Sequence, residues 1–385
     1  MNIKIKVRGK HILILEGYAR QCLPYMNEFK KMDMEISILC NSILDCGYAS
    51  KVPDHRIVGI CNPERYKDSE KYIVNMIKNG KYDIVLPLVD FSASILSKHK
   101  KELSKYAEIY VNDYEVFSKS QDKLEVMKTC MNNNIPCPKT LDNIKTLKEI
   151  LDSDLTFPII IKPRIGCGAK GFHRFNDSNE LQIYLINNRI NLSDMVVQEC
   201  LPIDSKLISE NIFVDKKGKI KSAFLYRCNR FYPLSGGTGT FNETFHNKNI
   251  HKECIKLIKM MKLKGCVGVD LMIDSRDNVA KIIEINPRIL ACSKIGFEAG
   301  VNQAQQIIED IYGNEVTSMM KYKSGISIRM SQIDILWFLK SKDRFNTNPS
   351  WFKLKGVRDQ TFSLKDPLPW FAFLFNGLLK LKKER

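Results

Sequence analysis

The sequence lacks a hydrophobic run long enough to cross a membrane. Its 385 residues contain no apolar stretch of the ~18–20 residues that a transmembrane helix needs. The apolar run at residues 11–15 is also too short for the core of a signal peptide, and it is better explained as a first β-strand. These absences predict a cytoplasmic protein.

Paired cysteines are missing as well. The chain has 12 cysteines, but they are scattered singly and never form a CxxC pair. This spacing argues against a zinc ribbon, a thioredoxin-type site and a disulfide framework. We expect reduced and mostly buried thiols, as is usual inside the cell.

Two common nucleotide-binding patterns are also absent. The chain contains no GxxxxGK[ST] loop, and only Gly17 follows the first predicted strand, where a dinucleotide-binding domain carries GxGxxG. Positive charge, by contrast, is plentiful, since the net charge is +17. Because the lysines are spread along the whole chain without a basic block, we expect no nucleic-acid partner, and a polyphosphate ligand accounts better for the charge.

The first 112 residues alternate between strand and helix patterns. The predicted strands are 11–16, 35–40, 56–60, 83–88 and 108–111, and the predicted helices between them are 19–31, 63–78 and 91–103. Such alternation is typical of an α/β fold with a parallel sheet covered by helices on both faces.

A glycine-rich segment lies at residues 157–171. An apolar strand ends at Lys162 and runs into a loop that contains Gly166, Gly168 and Gly171. A returning strand follows this loop, whereas a Rossmann turn would lead directly into a helix. We therefore predict a hairpin whose backbone amides approach phosphates, with Lys162 neutralising their charge. The alternative is a surface hairpin with a solvated lysine.

Acidic and amide side chains interrupt two apolar strands on either side of a turn at residues 275–278. Glu284 and Asn286 are two positions apart and share one face of their strand, which Asp270 joins from the paired strand. These oxygens suit Mg²⁺, and Arg288 is suitably spaced to bind a phosphoryl group or a carboxylate. The alternative is an exposed polar face.

Two further segments have open interpretations. The loop 227–240 contains Arg227, Arg230, Gly236 and Gly237, and it either frames an acceptor-substrate site or is a flexible glycine turn. Residues 369–385 are apolar and then basic. They form either a helix packed on the core, which we favour, or an interfacial helix in weak contact with anionic lipid.

Taken in chain order, several motifs resemble those of the ATP-grasp superfamily, to which the D-alanine–D-alanine ligases and carbamoyl-phosphate synthase belong. The likeness covers about residues 10–318 and is greatest to carboxylate–amine ligases with a carbamoyl-phosphate-synthase-like core. It rests on Ser-Gln-Asp-Lys at 120–123, the lysine before the glycine-rich loop, Val-Val-Gln-Glu at 196–199, and Glu-Ile-Asn-Pro-Arg at 284–288.

The resemblance implies a role for each matching residue. The residues implied to bind ATP are Lys123, Lys162, Gly166, Gly168, Gly171, Gln198, Glu199 and Asp204. The implied ligands of one or two Mg²⁺ ions, or of Mn²⁺, are Asp270, Glu284 and Asn286. Arg288 and Lys162 are the implied catalytic residues. The acceptor-site candidates, which rest on the chemistry of the loop 227–240 and not on a family motif, are Arg227, Arg230, Gly236 and Gly237.

The resemblance also implies an organisation and an activity. Residues 1–112 correspond to a Rossmann-like pre-ATP-grasp domain, 113–318 to the ATP-grasp domain (lid about 120–195, catalytic half about 196–318), and 319–385 to a C-terminal extension. The expected enzyme joins a small-molecule carboxylate to an amine through an acyl phosphate and forms ADP. A nucleotide sensor and a small-molecule kinase are the alternatives, and a homodimer is the default assembly.

Overall fold

The structure is a computed structural model, and it describes residues 7–383 apart from 167–170, 235 and 314. Within these residues the strands form three sheets of five, three and seven members. Every cysteine among them is free, and most are buried. The predicted mixed α/β fold is confirmed.

The N-terminal sheet has the strand order β3-β2-β1-β4-β5, and all of its pairings are parallel. Its strands are β1 His11–Ile14, β2 Glu35–Cys40, β3 His55–Val58, β4 Ile84–Leu86 and β5 Glu108–Ile109. The helices around it are α1 Cys22–Lys31, α2 Cys46–Ala49, α3 Tyr66–Asn79 and α4 Asp90–Leu103.

Strand β1 explains why the strands of the N-terminal sheet are continuous apolar runs in the sequence. Ile12 and Ile14 pack into the hydrophobic core on one face of the sheet, whereas Leu13 packs into the core on the other face. A strand buried on both faces does not alternate between apolar and polar residues. The predicted helix 63–78 instead begins as a 3-10 turn, Pro63–Arg65, capped by the Asn62 side chain.

A buried carboxyl group follows β1. Glu16 is fully buried, and it accepts hydrogen bonds from the Leu88 amide at 3.0 Å and from the Cys61 thiol at 3.5 Å. Its backbone has a φ of +63°, in the left-handed region. Burial raises the pKa of Glu16 to about 7, because the ionised form loses its hydration, although the hydrogen bonds act in the opposite direction.

This raised pKa makes stability depend on pH. The folded state holds the Glu16 proton more tightly than the unfolded state, whose pKa is near 4.5, so the free energy of unfolding falls as the pH rises through this window. Glu16→Gln lacks the titration, and we expect it to gain about 3 kcal/mol relative to wild type between pH 4.5 and pH 8. Urea unfolding at several pH values measures this gain. The control Glu64→Gln removes an exposed carboxyl group, and parallel pH curves for Glu16→Gln and wild type would contradict the prediction.

The second sheet is small and antiparallel, with the order β7-β6-β8. Its strands are β6 Ile159–Pro163, β7 His173–Phe175 and β8 Met195–Glu199. Helices of this part of the chain are α5 Tyr114–Gln121, α6 Lys123–Asn132, α7 Leu147–Leu151 and α8 Ser178–Asn188, and a 3-10 turn spans Leu192–Asp194. The predicted return of the glycine-rich hairpin is present as β7, and Asp177 caps the helix that follows.

The seven-stranded sheet has the order β13-β12-β9-β10-β11-β14-β15. Its strands are β9 Lys206–Val214, β10 Ile220–Tyr232, β11 Thr238–Phe245, β12 Gly265–Ile273, β13 Ala280–Asn286, β14 Ser327–Arg329 and β15 Val357–Asp359. The remaining helices are α9 Lys248–Met260, α10 Lys294–Ala299, α11 Gln303–Ile311, α12 Ser331–Lys340 and α13 Leu368–Lys383. The C-terminal extension therefore contributes two strands, β14 and β15, to this central sheet.

Helix α13 lies against α2 of the N-terminal region. Ala372 is buried, and the Asn376 amide donates to Asp45 at 3.4 Å. Phe371 and Phe375 remain about half exposed. Among the described residues, the structure contains no helix with the length and apolar content that a bilayer span requires.

Candidate active site

The β12–β13 hairpin brings the predicted acidic residues together. Asp270 pairs directly with Glu284, and Asn286 pairs with Gly268, so all three polar side chains emerge on one face. The Asn286 amide donates to the Asp270 carboxylate at 2.8 Å. An added Cβ on Gly268 would lie 2.3 Å from the Leu290 side chain, so any larger residue here requires Leu290 to move.

Asp270 occupies a confined position on this face. It accepts a 2.5 Å hydrogen bond from the Ser209 hydroxyl of the neighbouring strand β9. Withdrawal from water, together with the nearby charge of Glu284, raises the pKa of Asp270 to about 6, although the Ser209 hydrogen bond acts in the opposite direction. Two carboxylates held this close repel each other, which is the arrangement that a divalent cation relieves.

Two lysines face the acidic hairpin from the small sheet and its neighbouring helix. The Lys123 ammonium lies 3.5 Å from a Glu284 oxygen and donates to the Gly166 carbonyl at 2.7 Å. Lys162, at the end of β6, is 7% exposed. Burial lowers the pKa of Lys162 to about 8, Glu284 opposes this shift, and Lys123 adds to it. The cluster therefore holds two positive charges opposite two carboxylates.

An ion pair that the sequence analysis missed fixes the lysines in place. Asp122 caps helix α6 by accepting from the Leu124 amide at 3.0 Å, and it also accepts from the Arg164 guanidinium at 3.1 Å. The Lys123 amide in turn donates to the Arg164 carbonyl at 2.9 Å. The start of α6 is thereby tied to the end of β6, so that Lys123 and Lys162 are positioned together.

Arg288 receives a partner from the N-terminal region. Its guanidinium donates to Asp90 at 2.8 Å and to the side-chain oxygen Oδ1 of Asn286 at 3.0 Å. Asp90 is the first residue of α4 and follows the carboxyl end of β4. This position could have identified Asp90 as a site residue from the sequence, because the ligand sites of α/β sheets lie at the carboxyl ends of their strands.

The glycine-rich loop is described only in part. Gly166 and Gly171 flank residues 167–170, and the predicted phosphate contact Gly168 lies outside the described residues. Gly171 has a φ of +71°, and a Cβ there would lie 2.8 Å from the Pro163 ring. The turn therefore requires glycine at position 171 for backbone reasons alone.

On the hinge strand β8, both predicted nucleotide-binding side chains have partners within the protein. Gln198 is buried, and its amide donates to the Thr140 hydroxyl at 2.7 Å. Glu199 is bound by the Arg276 guanidinium at 2.7 Å and by the Lys281 ammonium at 3.3 Å. Its carboxylate is therefore paired with two cationic side chains, and its contact with adenine stays a prediction. Both partners lie on the β12–β13 hairpin and were missed.

The remaining nucleotide and acceptor candidates are dispersed. Asp204 accepts from the Ser275 hydroxyl at 2.6 Å, near the turn of the acidic hairpin. Arg227, on β10, is 3.0 Å from Glu243 of β11. Gly236 and Gly237 form the turn between these strands, and a Cβ on Gly237 would lie 2.5 Å from the Tyr232 carbonyl oxygen.

The sheet register separates this turn from the acidic cluster. Asp270 stands opposite Ser209, which stands opposite Tyr226 of β10. Tyr232, where β10 ends, is six positions further along, roughly 20 Å at the usual rise of a strand. The structure therefore does not bring Gly236 and Gly237 to the cluster.

Arg230 requires a clear correction. Its side chain is buried, with Nε donating to Asp334 at 2.9 Å and a second nitrogen donating to the same carboxylate at 3.1 Å. A third nitrogen donates to the Pro349 carbonyl at 2.9 Å. The prediction of Arg230 as a counter-charge for a substrate is wrong, because its donors are engaged in the protein interior.

A cavity of about 720 Å³ lies between the N-terminal sheet and the central sheet. Arg288 lines it, whereas Lys162, Asp270 and Glu284 do not. The basic side chains of its wall include Lys100, Lys216, Lys217, Lys259, Lys262 and Lys264. Part of the large positive charge is thus concentrated at this junction.

Comparison with known proteins places these features in a family. A family model described as an ATP-grasp domain matches residues 120–292. This segment contains both lysines of the cluster, the acidic hairpin and Arg288.

Two curated relatives are ligases by name. The chain is 26% identical over 265 residues to a D-aspartate ligase from Enterococcus faecium (strain Aus0004), a match that covers 64% of this chain and 60% of the relative. It is 23% identical over 316 residues to a tyramine–L-glutamate ligase from Methanocaldococcus fervens, with 80% of this chain and 92% of the relative covered. The first match thus spans less than two thirds of its relative.

Among solved structures, an N5-carboxyaminoimidazole synthetase from Staphylococcus aureus has a similar fold. It superposes with a TM-score of 0.66 and 19% identity, covering 83% of this chain and 81% of that structure. Residues 120–292 match an ATP-grasp domain, and over this segment the chain is similar to the ATP-grasp superfamily.

Proposed function

We propose that the protein is an ATP-dependent ligase that joins a carboxylate to an amine through an acyl phosphate. The observation that carries the proposal is the apposition of two lysines to the acidic hairpin, with Lys123 3.5 Å from Glu284. Such a cluster provides charge of both signs for a nucleotide and its metal ion. The ligase names of both curated relatives support the same reaction class.

The residues of the cluster divide by chemistry. Asp270, Glu284 and Asn286 present oxygen ligands for one or two Mg²⁺ ions, for which Mn²⁺ is a substitute. Mg²⁺, when bound, neutralises phosphate charge and aligns the terminal phosphate. Lys123 and Lys162 bind phosphate oxygens by charge-assisted hydrogen bonds.

Catalysis in this proposal is mainly positioning. The substrate carboxylate attacks the terminal phosphorus of ATP, ADP leaves, and the amine then displaces phosphate from the acyl phosphate. Arg288 offers its planar guanidinium to the transferring group, and Asp90 keeps that guanidinium oriented. The region 120–195 acts as a lid over the half 196–318 and excludes water during the reaction.

We further propose an acidic amino acid as the carboxylate substrate. The names of both curated relatives contain one, aspartate in the first and glutamate in the second. Arg227, whose side chain is 47% exposed, stays the candidate for the acceptor side. A homodimer, a cytoplasmic location and a weak contact of α13 with anionic lipid also stay predictions.

The test is turnover with Mg-ATP. The purified full chain is incubated with the D and L enantiomers of aspartate and glutamate and with pooled amines. The release of ADP and phosphate is measured, and new amides are sought by mass spectrometry. Substrate-dependent ADP together with an amide mass supports the ligase. A phosphorylated product without an amide indicates a kinase, and nucleotide binding without turnover on any pool indicates a sensor.

Two variants control this assay. Glu284→Gln removes one carboxylate of the cluster and is expected to be inactive. Glu298→Gln removes a carboxylate of α10 that is 3.7 Å from Arg358, away from the cluster, and is expected to retain activity. Equal activity of the two variants would show that the turnover does not come from the proposed site.

The Asp90–Arg288 ion pair gives a separate prediction. Asp90→Asn keeps the shape of the side chain but removes the charge that holds the guanidinium, so we expect turnover to fall about tenfold, the scale of one charged hydrogen bond. A positioning role predicts a lower kcat at nearly unchanged KM for ATP. Asp113→Asn, which removes an exposed carboxylate paired with Lys100, is the control. An unchanged kcat in Asp90→Asn contradicts the role.

A further inference from the structure

Three potential metal ligands meet at one edge of the N-terminal sheet. His11, Glu35 and His55 each offer one ligand atom, and these three atoms all lie within 4.8 Å of one another. The cluster is unrelated to the acidic hairpin, and nothing in the proposed ligase reaction uses it. Two imidazoles and one carboxylate are donors that a divalent transition metal prefers, whereas Mg²⁺ and Ca²⁺ prefer oxygen ligands alone.

The topology of the sheet creates this juxtaposition. The three residues are the first residues of β1, β2 and β3, which are adjacent and parallel, so they start at the same edge. His11 stands directly opposite Glu35 in the register. Glu16, at the carboxyl edge, is five positions from His11, roughly 16 Å along the chain at the rise of a strand. The cluster therefore lies at the edge of the sheet opposite to Asp90 and the candidate active site.

The ring of His11 is already oriented for ligation. Its Nδ1 lies 3.1 Å from the Lys81 carbonyl oxygen, which can only accept, so the proton of a neutral ring resides on Nδ1. This leaves the lone pair on Nε2, which lies 2.8 Å from the Ser37 hydroxyl. A backbone carbonyl that fixes one imidazole nitrogen while the other binds the ion is a usual feature of metal sites.

His55 and Glu35 supply the other two ligand atoms. Nε2 of His55 lies 2.6 Å from a Glu35 oxygen, and their side chains are 53% and 44% exposed. An ion can therefore enter from solvent and replace the proton between them. Ligands of a tetrahedral Zn²⁺ at ~2.0–2.1 Å are roughly 3.3 Å apart, so exposed side chains need to shift by only about 1–2 Å.

A second histidine–carboxylate cluster in the N-terminal region differs from the cluster of His11, Glu35 and His55. His99 lies 2.9 Å from Glu70 and 3.5 Å from Glu102. Lys98 and Lys78 already neutralise those carboxylates, and a second imidazole does not take part. In the cluster at the sheet edge, by contrast, Glu35 faces two imidazoles.

We propose that His11, Glu35 and His55 form a zinc site, with the Ser37 hydroxyl or water at the fourth position. Zinc there crosslinks three adjacent strands at their start and stabilises the N-terminal sheet, because a ligand that binds only the folded state favours it. The site is structural or regulatory, since it lies away from the acidic hairpin.

The test titrates Zn²⁺ alone into the nucleotide-free full chain by calorimetry. We expect the wild type to bind an equivalent of Zn²⁺, and Glu284→Gln to bind it as well. In His55→Gln and in Glu35→Gln the affinity for Zn²⁺ is expected to fall at least tenfold, the scale found when a metal site loses one supporting group. His99→Gln is the matched control and is expected to bind as wild type does. Zn²⁺ is also expected to raise the Tm of wild type and of His99→Gln, but not that of His55→Gln.

Two outcomes would overturn the proposal. The first is an equivalent that persists in the double variant His11→Gln/His55→Gln, because the ion would then reside on thiols or on the acidic hairpin. The second is thiolate-to-metal absorption when Co²⁺ replaces Zn²⁺, since the proposed ligands are nitrogen and oxygen only. Equal Tm values of wild type and variants in the presence of a chelator ensure that lost binding does not reflect misfolding.

Discussion

Lys162→Met is expected to lower ATP-dependent turnover at least ~10²-fold, the scale of removing one charge-stabilising group. Methionine keeps much of the length and apolar stem of lysine but removes the ammonium group. Because Lys162 is 7% exposed, little water is available to take over its role near the phosphates. The measurement is substrate-dependent ADP formation, with kcat and the KM for ATP determined separately.

The same substitution is expected to leave the fold intact or to stabilise it. Burial lowers the pKa of Lys162 to about 8, so the charged side chain is held at a cost that methionine removes. A loss of turnover with an unchanged or higher Tm therefore assigns the lysine to function. Lys206→Met, at an exposed position of β9, is the matched control. Near-normal turnover of Lys162→Met contradicts the proposed site.

The parts of the candidate site that could be predicted are those encoded by local pattern. Asp270, Glu284 and Asn286 interrupt apolar strands around one turn, and strand periodicity alone puts them on one face. Lys162 is likewise recognisable at the end of an apolar strand before a glycine-rich loop. The parallel N-terminal sheet followed from the alternation of elements, although the ends of its strands differ by up to two residues.

What could not be predicted depends on pairings between distant segments. Asp90 and Arg288 are separated by 198 positions, and nothing local in either segment indicates the other. Nothing in the sequence indicates that Glu199 has cationic partners. Arg276 and Lys281 contact it because the β12–β13 hairpin packs beside β8. A side chain that matches a motif can thus be engaged by partners that the motif does not contain.

The C-terminal segment shows the same limit on a larger scale. The resemblance implied an appended extension at residues 319–385, yet β14 (Ser327–Arg329) pairs with β11, and β15 (Val357–Asp359) pairs in parallel with β14. Three-residue strands carry too little periodicity to be recognised in sequence. Because these strands complete the central sheet, this segment also determines the environment of Arg230.

The Arg230–Asp334 ion pair joins β10 to α12 of the C-terminal segment. Asp334 is fully buried, and besides Arg230 it accepts from the Thr240 hydroxyl at 2.7 Å. The guanidinium lies over the Phe241 ring at 4.2 Å and near the Trp337 ring at 5.3 Å. Two aromatic faces and a bidentate carboxylate together compensate the charge of an arginine that solvent does not reach.

Asp334→Asn is therefore expected to reduce the free energy of unfolding by about 3–5 kcal/mol, the cost of leaving a buried charge without its partner. The double variant Arg230→Met/Asp334→Leu removes both charges of this ion pair, and apolar residues of similar size often replace a buried ion pair without penalty. It is expected to recover only part of the loss, because the buried Arg329, 3.2 Å from Asp334, still loses its carboxylate partner. Urea unfolding of both variants measures the difference, with the exposed Asp343→Asn as control. If Asp334→Asn were as stable as the control, the ion pair would not be what attaches the C-terminal segment to the sheet. If the double variant were no more stable than Asp334→Asn, the loss would come from packing or from the unpaired Arg329 rather than from the unpaired charge of Arg230.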